Sequence, residues 1–331
     1  MSDQIKWGIL GPGRIAHQFA RDIRLVKEAR LWAVASRQKE RAREFAQRYT
    51  IPKAYGSYRE LVEDEAIDIV YIATPHGRHY EDIKLCLNHN KAVLCEKSFT
   101  LNARQAQEVI NLARTNGLFL MEAMWTRFLP ITQKLRKLLK QNVIGRLHML
   151  SADLGFPFPF DLQSRLFNPV LGGGALLDVG VYPVSLSQWF LGTPREMRSL
   201  AVMGETGVDE QAGMVFSYAN GVMAHLFTSI RSSTPSQAVF MGDKGHLIVQ
   251  APLYRPSGIV IKLENGREEY LKAPLKGNGF NYEISEATRC LLQGQLQSSI
   301  MPWQDTTDVM KIMDGLRALW GFSYPQESKG I

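Results

Sequence analysis

Three stretches of the 331-residue sequence carry side chains able to move protons or to hold hydroxyl groups. In Cys95-Glu96-Lys97-Ser98 a lysine follows directly on the apolar run Ala92 to Cys95. An ammonium at the end of a buried strand costs desolvation unless something uses its charge, so Lys97 is either an active-site cation or a lysine of a surface loop. In Gly172 to Tyr182, GGGALLDVGVY, three glycines permit a close backbone approach before a helix begins. Asp178 and Tyr182, four residues apart, then share one helix face. A carboxylate and a phenol so placed either contact a polyol or form a hydrogen-bonded core pair. The third stretch is Thr74-Pro75-His76 with His79, at the end of the apolar run IDIVYIAT. His-x-x-His spacing would suit a metal pair, but no third Cys, His or acidic ligand clusters with it in sequence, and no metal is expected. The other reading is one wall of a ligand site at the start of a helix.

These stretches need a scaffold, and the N-terminus supplies its signature. Ile5, Trp7, Ile9 and Leu10 read as a buried strand that breaks into Gly11-Pro12-Gly13-Arg14-Ile15-Ala16 and opens an amphipathic helix through Phe19 and Ile23. Gly11 and Gly13 allow a tight turn and close approach to a pyrophosphate, and Ala16 allows the helix to pack on the strand. The free N–H groups and positive end of the helix then hold the anion. A glycine pattern in that context points to dinucleotide binding. A chain that prefers NAD places Asp or Glu at the end of its second strand to hold the ribose hydroxyls. Ser36 and Arg37 stand there instead, with Arg41 four residues on. A hydroxyl and a guanidinium fork suit a 2′-phosphate, so NADP is expected over NAD, although Arg37 could also merely start a solvated helix. Thr74-Pro75-His76 with His79, and Glu96 with Lys97, both lie at strand ends where doubly wound folds place their ligands, and the first of these reads as a wall on the nicotinamide side.

Composition narrows the remaining choices. An apolar share of 45% supports sizeable cores, and the length suggests two domains. No apolar run approaches the roughly 18 residues of a membrane span, and Met1 to Lys6 leads into the first strand without a signal peptide, so no membrane partner is expected. Cys86, Cys95 and Cys290 are widely spaced and odd in number, which suggests neither a disulfide framework nor a zinc cluster and fits a reducing cytoplasm. The formal charge of +7 is spread over separate polar faces, among them Arg21, Arg24, Lys134 and Lys137. Without a concentrated basic patch no nucleic acid is expected, though the surplus favours approach of a polyanionic cofactor.

Periodicity assigns the elements. Through about residue 120, strands (Leu31 to Ala35, Lys53 to Tyr55, Ile67 to Thr74, Ala92 to Cys95, Leu118 to Met121) alternate with helices (Ile15 to Leu25, Lys39 to Tyr49, Ser57 to Asp64, His79 to Asn88, Ala103 to Thr115). That is a doubly wound parallel sheet, placed at residues 1–122. Residues 123–331 read as an α+β domain with a large open, mostly antiparallel sheet. Its strands are Leu147 to Leu154, Ala212 to Ser217, Val222 to Phe227, Ala238 to Met241, His246 to Val249 and Ile259 to Leu263. Helices are expected at Ile131 to Gln141, Ala175 to Leu191, Tyr282 to Leu292 and Asp305 to Leu319. A second copy of the open sheet would cover its outer face, so a homodimer is expected.

Taken in order, Gly11 to Ala16, Thr74-Pro75-His76 with His79, Glu96-Lys97, and Asp178 with Tyr182 resemble the glucose-fructose oxidoreductase, inositol dehydrogenase and MocA family. Met121 to Phe128, MEAMWTRF, is most similar to its dimeric dihydrodiol dehydrogenases and NADP-dependent aldose (xylose) 1-dehydrogenases, and the resemblance spans the chain, including Tyr282-Glu283. It implies a Rossmann domain, a mainly β second domain that dimerises through its sheet, and hydride transfer between NADP and a secondary alcohol or hemiacetal carbon of a sugar, polyol or trans-dihydrodiol. It further implies that Lys97 and Tyr182 are the acid/base pair and that Trp125 lines the substrate pocket. Asp178 would orient substrate hydroxyls, and Arg127, Phe156 and Phe280 would join the pocket. A regulator of the same fold that binds NADP and sugar without chemistry is the competing function. The family usually reads Glu-Lys-Pro, whereas Ser98 follows Lys97 here. Serine strongly prefers a trans bond where proline tolerates cis, so Lys97 is expected to sit differently or move more.

Overall fold

The computed structural model describes residues 4–327. Six strands, β1 (Ile5–Leu10), β2 (Ala29–Ala35), β3 (Lys53–Tyr55), β4 (Ile69–Ile72), β5 (Ala92–Glu96) and β6 (Leu120–Ala123), pair in parallel in the order β3-β2-β1-β4-β5-β6. They are joined through helices α1 (Arg14–Asp22), α2 (Lys39–Tyr49), α3 (Tyr58–Val62), α4 (His76–Asn88) and α5 (Ala103–Asn116). Every residue of β4 and β5 is buried, which is why these strands read as unbroken apolar runs rather than alternating ones. The strand order reverses between β1 and β4, and the ends of these two strands frame the crevice where open α/β sheets take their ligands.

The remaining helices are α6 (Pro130–Lys140), α7 (Val181–Leu191), α8 (Phe280–Leu292) and α9 (Trp303–Leu319). The division into compact units differs from a single cut at 122/123. The first unit runs to Thr100 and adds Arg104–Phe128 and Leu275–Thr306; the second holds Leu101–Ala103, Leu129–Pro274 and the chain from Thr307. The return of 275–306 has a polar cause. Asp22, buried at the end of α1, accepts the backbone N–H groups of Asn278 (2.8 Å) and Phe280 (2.9 Å) and the Asn278 side-chain amide (2.8 Å). Leu120 of β6 donates its N–H to Leu296 O at 3.0 Å, and its own carbonyl accepts the Trp303 indole N–H at 2.8 Å.

In the second unit, β7 (Leu147–Gly155), β8 (Glu196–Met203), β9 (Asp209–Ser217), β10 (Met223–Ser229), β11 (Ala238–Gly242), β12 (Gly245–Val249), β13 (Ile259–Leu263) and β14 (Glu268–Leu271) form one sheet in the order β14-β13-β12-β11-β7-β10-β9-β8. All neighbours are antiparallel except β7 and β10. Leu150, Met214, Phe216, Leu226 and Phe240 bury one face, with Phe190 of α7 edge-on to Phe240 at 5.1 Å. The other face carries exposed Met149, Leu200, Val202, Val215 and Met223. The stretch Pro169–Leu191 is long and apolar enough to cross a membrane by length and composition, yet 78% of its apolar window is buried inside the fold. No unbroken apolar run marks it in the sequence, because glycines and Asp178 interrupt it.

Candidate active site

In the first unit the glycine turn has the geometry of an anion cradle. Gly11 has φ +85°, and a Cβ on it would lie 3.2 Å from both Ala73 O and Thr74 Cγ2, so dihedral and neighbours alike require glycine. Gly13 caps α1 with no side-chain hydrogen bond, and around its Cβ position nothing stands within 4 Å. The first N–H groups of α1 follow directly, with exposed Arg14 and half-buried Ile15 among them. A pyrophosphate fits this cradle.

At the end of β2, Ser36 is buried and its Oγ accepts the Gln38 N–H at 3.2 Å, while Arg37 and Arg41 are exposed. Burial and then Asp82 raise the Tyr58 phenol, whereas Arg37, Arg78 and Arg41 pull it back. Three guanidinium groups from α2, its approach and α4 thus act on one point. Arg78 is the member the sequence reading missed. Its charge is held by Asp82 (2.9 Å), whose other oxygen takes the Thr74 hydroxyl at 2.8 Å. The only signal for it was position, two residues past His76 in the first turn of α4.

The histidines divide. His76 opens α4 behind Pro75, with its ring 5.7 Å from that of His79. His79, expected on the cofactor side, is instead fully buried, with Nδ1 2.8 Å from Ser98 O and Nε2 2.8 Å from Thr74 O. Burial lowers its pKa against these carbonyls, which favour the charged ring. It is a strut between the ends of β4 and β5, and so it positions the segment that carries Lys97. Among the described residues no group of three or more His, Cys, Asp or Glu stands together as a metal ligand set. The Lys97–Ser98 bond, expected to be trans, is cis.

Glu96 is buried and accepts the Tyr71 hydroxyl at 2.5 Å, and the Tyr71 ring stacks on Phe19 at 3.8 Å. Glu283 of α8 is fully buried with neither oxygen partnered among the described residues. Burial, then the charges of Glu96 and Asp22, push its carboxyl well above the usual range. Trp125 stacks on Phe280 at 4.8 Å and 10°, an apolar wall within this unit. Arg127, expected in the pocket, lies in the interior at 2% exposure and pairs with Asp305 at 2.5 Å.

The second unit carries the other candidates. The single helix face expected for Asp178 and Tyr182 is interrupted, because Leu176–Gly180 forms one wide π-type turn before α7 starts. Asp178 is buried there and accepts Arg165 Nη1 at 2.8 Å; Tyr182, half-buried, is in the first turn of α7. Tyr254, which the sequence reading passed over, lies 6.1 Å from the Tyr182 ring and 5.8 Å from Phe156. A groove of about 580 Å³ lined by Ile248, Val260, Lys262 and Glu268 contains none of these residues, being on the open face of the second sheet.

Comparison with known proteins agrees with this layout. Residues 5–124 match the oxidoreductase family with an NAD-binding Rossmann fold, and residues 132–248 match the GFO/IDH/MocA C-terminal domain. The chain is 36% identical to trans-1,2-dihydrobenzene-1,2-diol dehydrogenase of Xenopus tropicalis, over 97% of this chain and 99% of that one, and 34% identical to the Homo sapiens enzyme, over 98% and 99%. A 3-ketoreductase from Actinomadura kijaniata, solved in complex with NADP and TDP-benzene, superposes with a TM-score of 0.88 at 25% identity, covering 96% of this chain and 98% of that one. An aldose-aldose oxidoreductase from Caulobacter crescentus complexed with glycerol shares the fold at a TM-score of 0.87 and 21% identity, covering 96% and 97%. With a glycine cradle at the switch point, two family domains in sequence and relatives matched from end to end, the chain belongs to the GFO/IDH/MocA family of oxidoreductases.

Proposed function

We propose that the protein is an NADP-dependent dehydrogenase of secondary alcohols, acting on trans-dihydrodiols and related vicinal diols and on sugar hemiacetals. Support for the substrate class comes from relatives of matching length that are named trans-1,2-dihydrobenzene-1,2-diol dehydrogenase. The observation that carries the cofactor choice is the end of β2, where Ser36 is followed by exposed Arg37 and Arg41 and no carboxylate stands. Gly11, Gly13, Arg14 and Ile15 would hold the pyrophosphate, and Ser36, Arg37 and Arg41, with Arg78, the 2′-phosphate. Thr74, Pro75, His76 and Glu96 would border the nicotinamide.

When bound, NADP supplies the hydride acceptor for alcohol oxidation, and NADPH the donor for the reverse reaction. Tyr182 takes the hydroxyl proton in oxidation and returns it in reduction. Phenols ionise at about 10, so a base at neutral pH needs a cation that favours the phenolate, and Lys97 is the residue proposed for that role. Asp178 orients the substrate hydroxyls; Trp125 with Phe280 offers an apolar wall in the first unit and Phe156 an aromatic ring in the second. The molecule works as a homodimer joined through the exposed apolar face of the second sheet, and in the cytoplasm, where its three buried free cysteines stay reduced.

The test is NADPH formation screened over trans-dihydrodiols, cyclic vicinal diols and aldoses. Turnover of at least one class with NADP, and much less with NAD, is the expected result. Tight NADPH binding with no turnover of any of them would make the chain a regulator instead.

A further inference from the structure

The glycine turn that leads into Asp178 and Tyr182 is held by a segment the mechanism does not use. Fully buried Tyr324, beyond the end of α9, donates its hydroxyl to Gly173 O at 2.6 Å, and the Gln326 side-chain amide donates to Val170 O. Gly172 and Gly174 flank that carbonyl with φ of +74° and +113°, so it lies in a turn outside any helix ladder and takes its partner from elsewhere in the chain. A Cβ on Gly174 would overlap Asp209 Oδ1, and Asp209 Oδ2 holds the Leu176 N–H at 2.6 Å. Tyr324 and Asp209 thus grip the backbone just before the π-type turn with Asp178 and the first turn of α7 with Tyr182.

One guanidinium stands behind Tyr324. Arg317 of α9, its side chain 4% exposed, lies 5.0 Å from the Tyr324 ring, pairs with Glu327 at 2.6 Å and with Asp314 at 2.8 Å, and donates to Leu101 O at 3.0 Å. Both carboxylates reach on to the same short piece of chain. Glu327 accepts the Asn102 side-chain amide at 2.7 Å, and Asp314 the Ala103 N–H at 2.8 Å. Glu327 also accepts the Tyr324 N–H at 2.6 Å. Burial, then the Asp209 charge, push the Tyr324 phenol well above its ordinary value; Arg317 opposes this and Glu327 adds to it. Leu101–Ala103 belongs to the second unit and begins four residues after Lys97 in the chain. Charge-assisted bonds to a planar guanidinium fork are directional, so the network fixes Leu101–Ala103 and the glycine turn relative to each other.

We infer that Tyr324 is a positioning residue: through its hydroxyl and the Arg317–Glu327 pair, the segment after α9 holds the glycine turn and the start of α7, and with them the Tyr182 phenol, in place against the chain that continues from Lys97. The inference rests on the reading of Lys97 and Tyr182 as the acid/base pair. Tyr324 acts through backbone, at a distance from the proton transfer.

The experiment follows kcat and KM from pH 6 to 10 in the wild type, Tyr324→Phe, Glu327→Gln and Tyr182→Phe, with NADPH affinity by fluorescence and melting temperature alongside. Tyr218→Phe is the matched control, because it too removes one buried hydroxyl of the second unit, 2.5 Å from Ser187 Oγ and outside the network. In Tyr324→Phe, kcat below the inflection should fall about tenfold with KM and NADPH affinity little changed, since a misplaced reacting group costs rate rather than binding. A phenol less well matched to its cation ionises only at higher pH, so the inflection should rise by about one pH unit and the loss should largely vanish at pH 10. Glu327→Gln should move both in the same direction. Tyr218→Phe should lower the melting temperature comparably and leave the profile in place. Should Tyr324→Phe lose NADPH binding through misfolding, Glu327→Gln decides: an unmoved inflection in a variant that binds NADPH normally overturns the inference. A loss of the same factor at every pH, or one matched by Tyr218→Phe, also overturns it. If Tyr182→Phe abolishes the inflection while Tyr324→Phe and Glu327→Gln leave it where it was, the inference fails and the acid/base reading stands. If the inflection persists in Tyr182→Phe, or the wild type shows none, that reading fails and takes the inference with it.

Discussion

Asp209 accepts the backbone N–H of Leu176 at 2.6 Å from a fully buried position, with its other oxygen unpartnered among the described residues. Burial pushes this carboxyl up to about 7, against the Leu176 N–H and Arg317, which favour the ionised form. Its folded pKa thus exceeds the unfolded value of about 3.9. Below that value both states are protonated and nothing is lost. Between there and about 7 only the unfolded chain releases the proton, so stability falls as pH rises, and above 7 the loss is complete. Asp209→Asn keeps an acceptor for Leu176 and cannot titrate. Urea midpoints at pH 5, 6, 7 and 8 should show the wild type losing ground to the variant, by at most about 1.4 kcal/mol per pH unit. A gap that stays constant across this range would show that Asp209 does not titrate there.

Arg37→Ala should weaken NADPH about 10- to 100-fold and NADH hardly at all, because a charge-assisted contact to the 2′-phosphate is lost while the pyrophosphate turn stays intact. Arg78→Ala should act in the same direction more weakly, since it acts from α4 and is already paired with Asp82. Titration with 2′,5′-ADP and 5′-ADP reads the phosphate alone. Equal weakening of both nucleotides would remove these arginines from cofactor choice.

Tyr182→Phe keeps the ring that packs by Tyr254 and removes only the hydroxyl. Turnover should drop about 10²- to 10⁴-fold with NADPH affinity unchanged. Lys97→Met should cause a comparable fall, and the double variant should be little worse than either, as expected of residues that act as a unit. Near-normal kcat/KM in Tyr182→Phe would assign the proton to another group.

Light scattering should give twice the 37.4 kDa chain mass. Leu200, 85% exposed on β8, is the side chain whose charge would be least tolerated in a paired sheet face, so Leu200→Glu should shift the mass toward the monomer without lowering the melting temperature of the chain itself. A wild-type mass of one chain would refute the dimer.

Much of this was legible in the residues. β1 and the opening of α1 are fixed by local rules, because Gly11 needs its positive φ and an apolar strand must precede it. The buried β4 and β5 are legible for the opposite reason, being apolar on both faces. β8 escaped detection, since an edge strand reading EMRSLAVM alternates exposed and half-exposed positions and has no buried face to mark it. β14 is four residues long and equally polar. His79 and Arg127 show the limit for side chains. Their types suggest ligand contacts, but their partners are the carbonyls of Thr74 and Ser98 and the carboxylate of Asp305, none of which any local spacing identifies. Arg165 and Tyr254 lie in connections between elements, where position in sequence says little about direction in space.

The return of Leu275–Thr306 to the first unit sets an order of events during synthesis. Asp22 leaves the ribosome 256 residues ahead of the Asn278 amides it binds. Until then the buried Asp22 carboxylate and the Leu120 N–H of β6 are without the partners they have in the finished fold. A nascent chain therefore carries the first unit without its last segment for most of its translation, and a gene fragment ending after β6 would leave Asp22 without those donors.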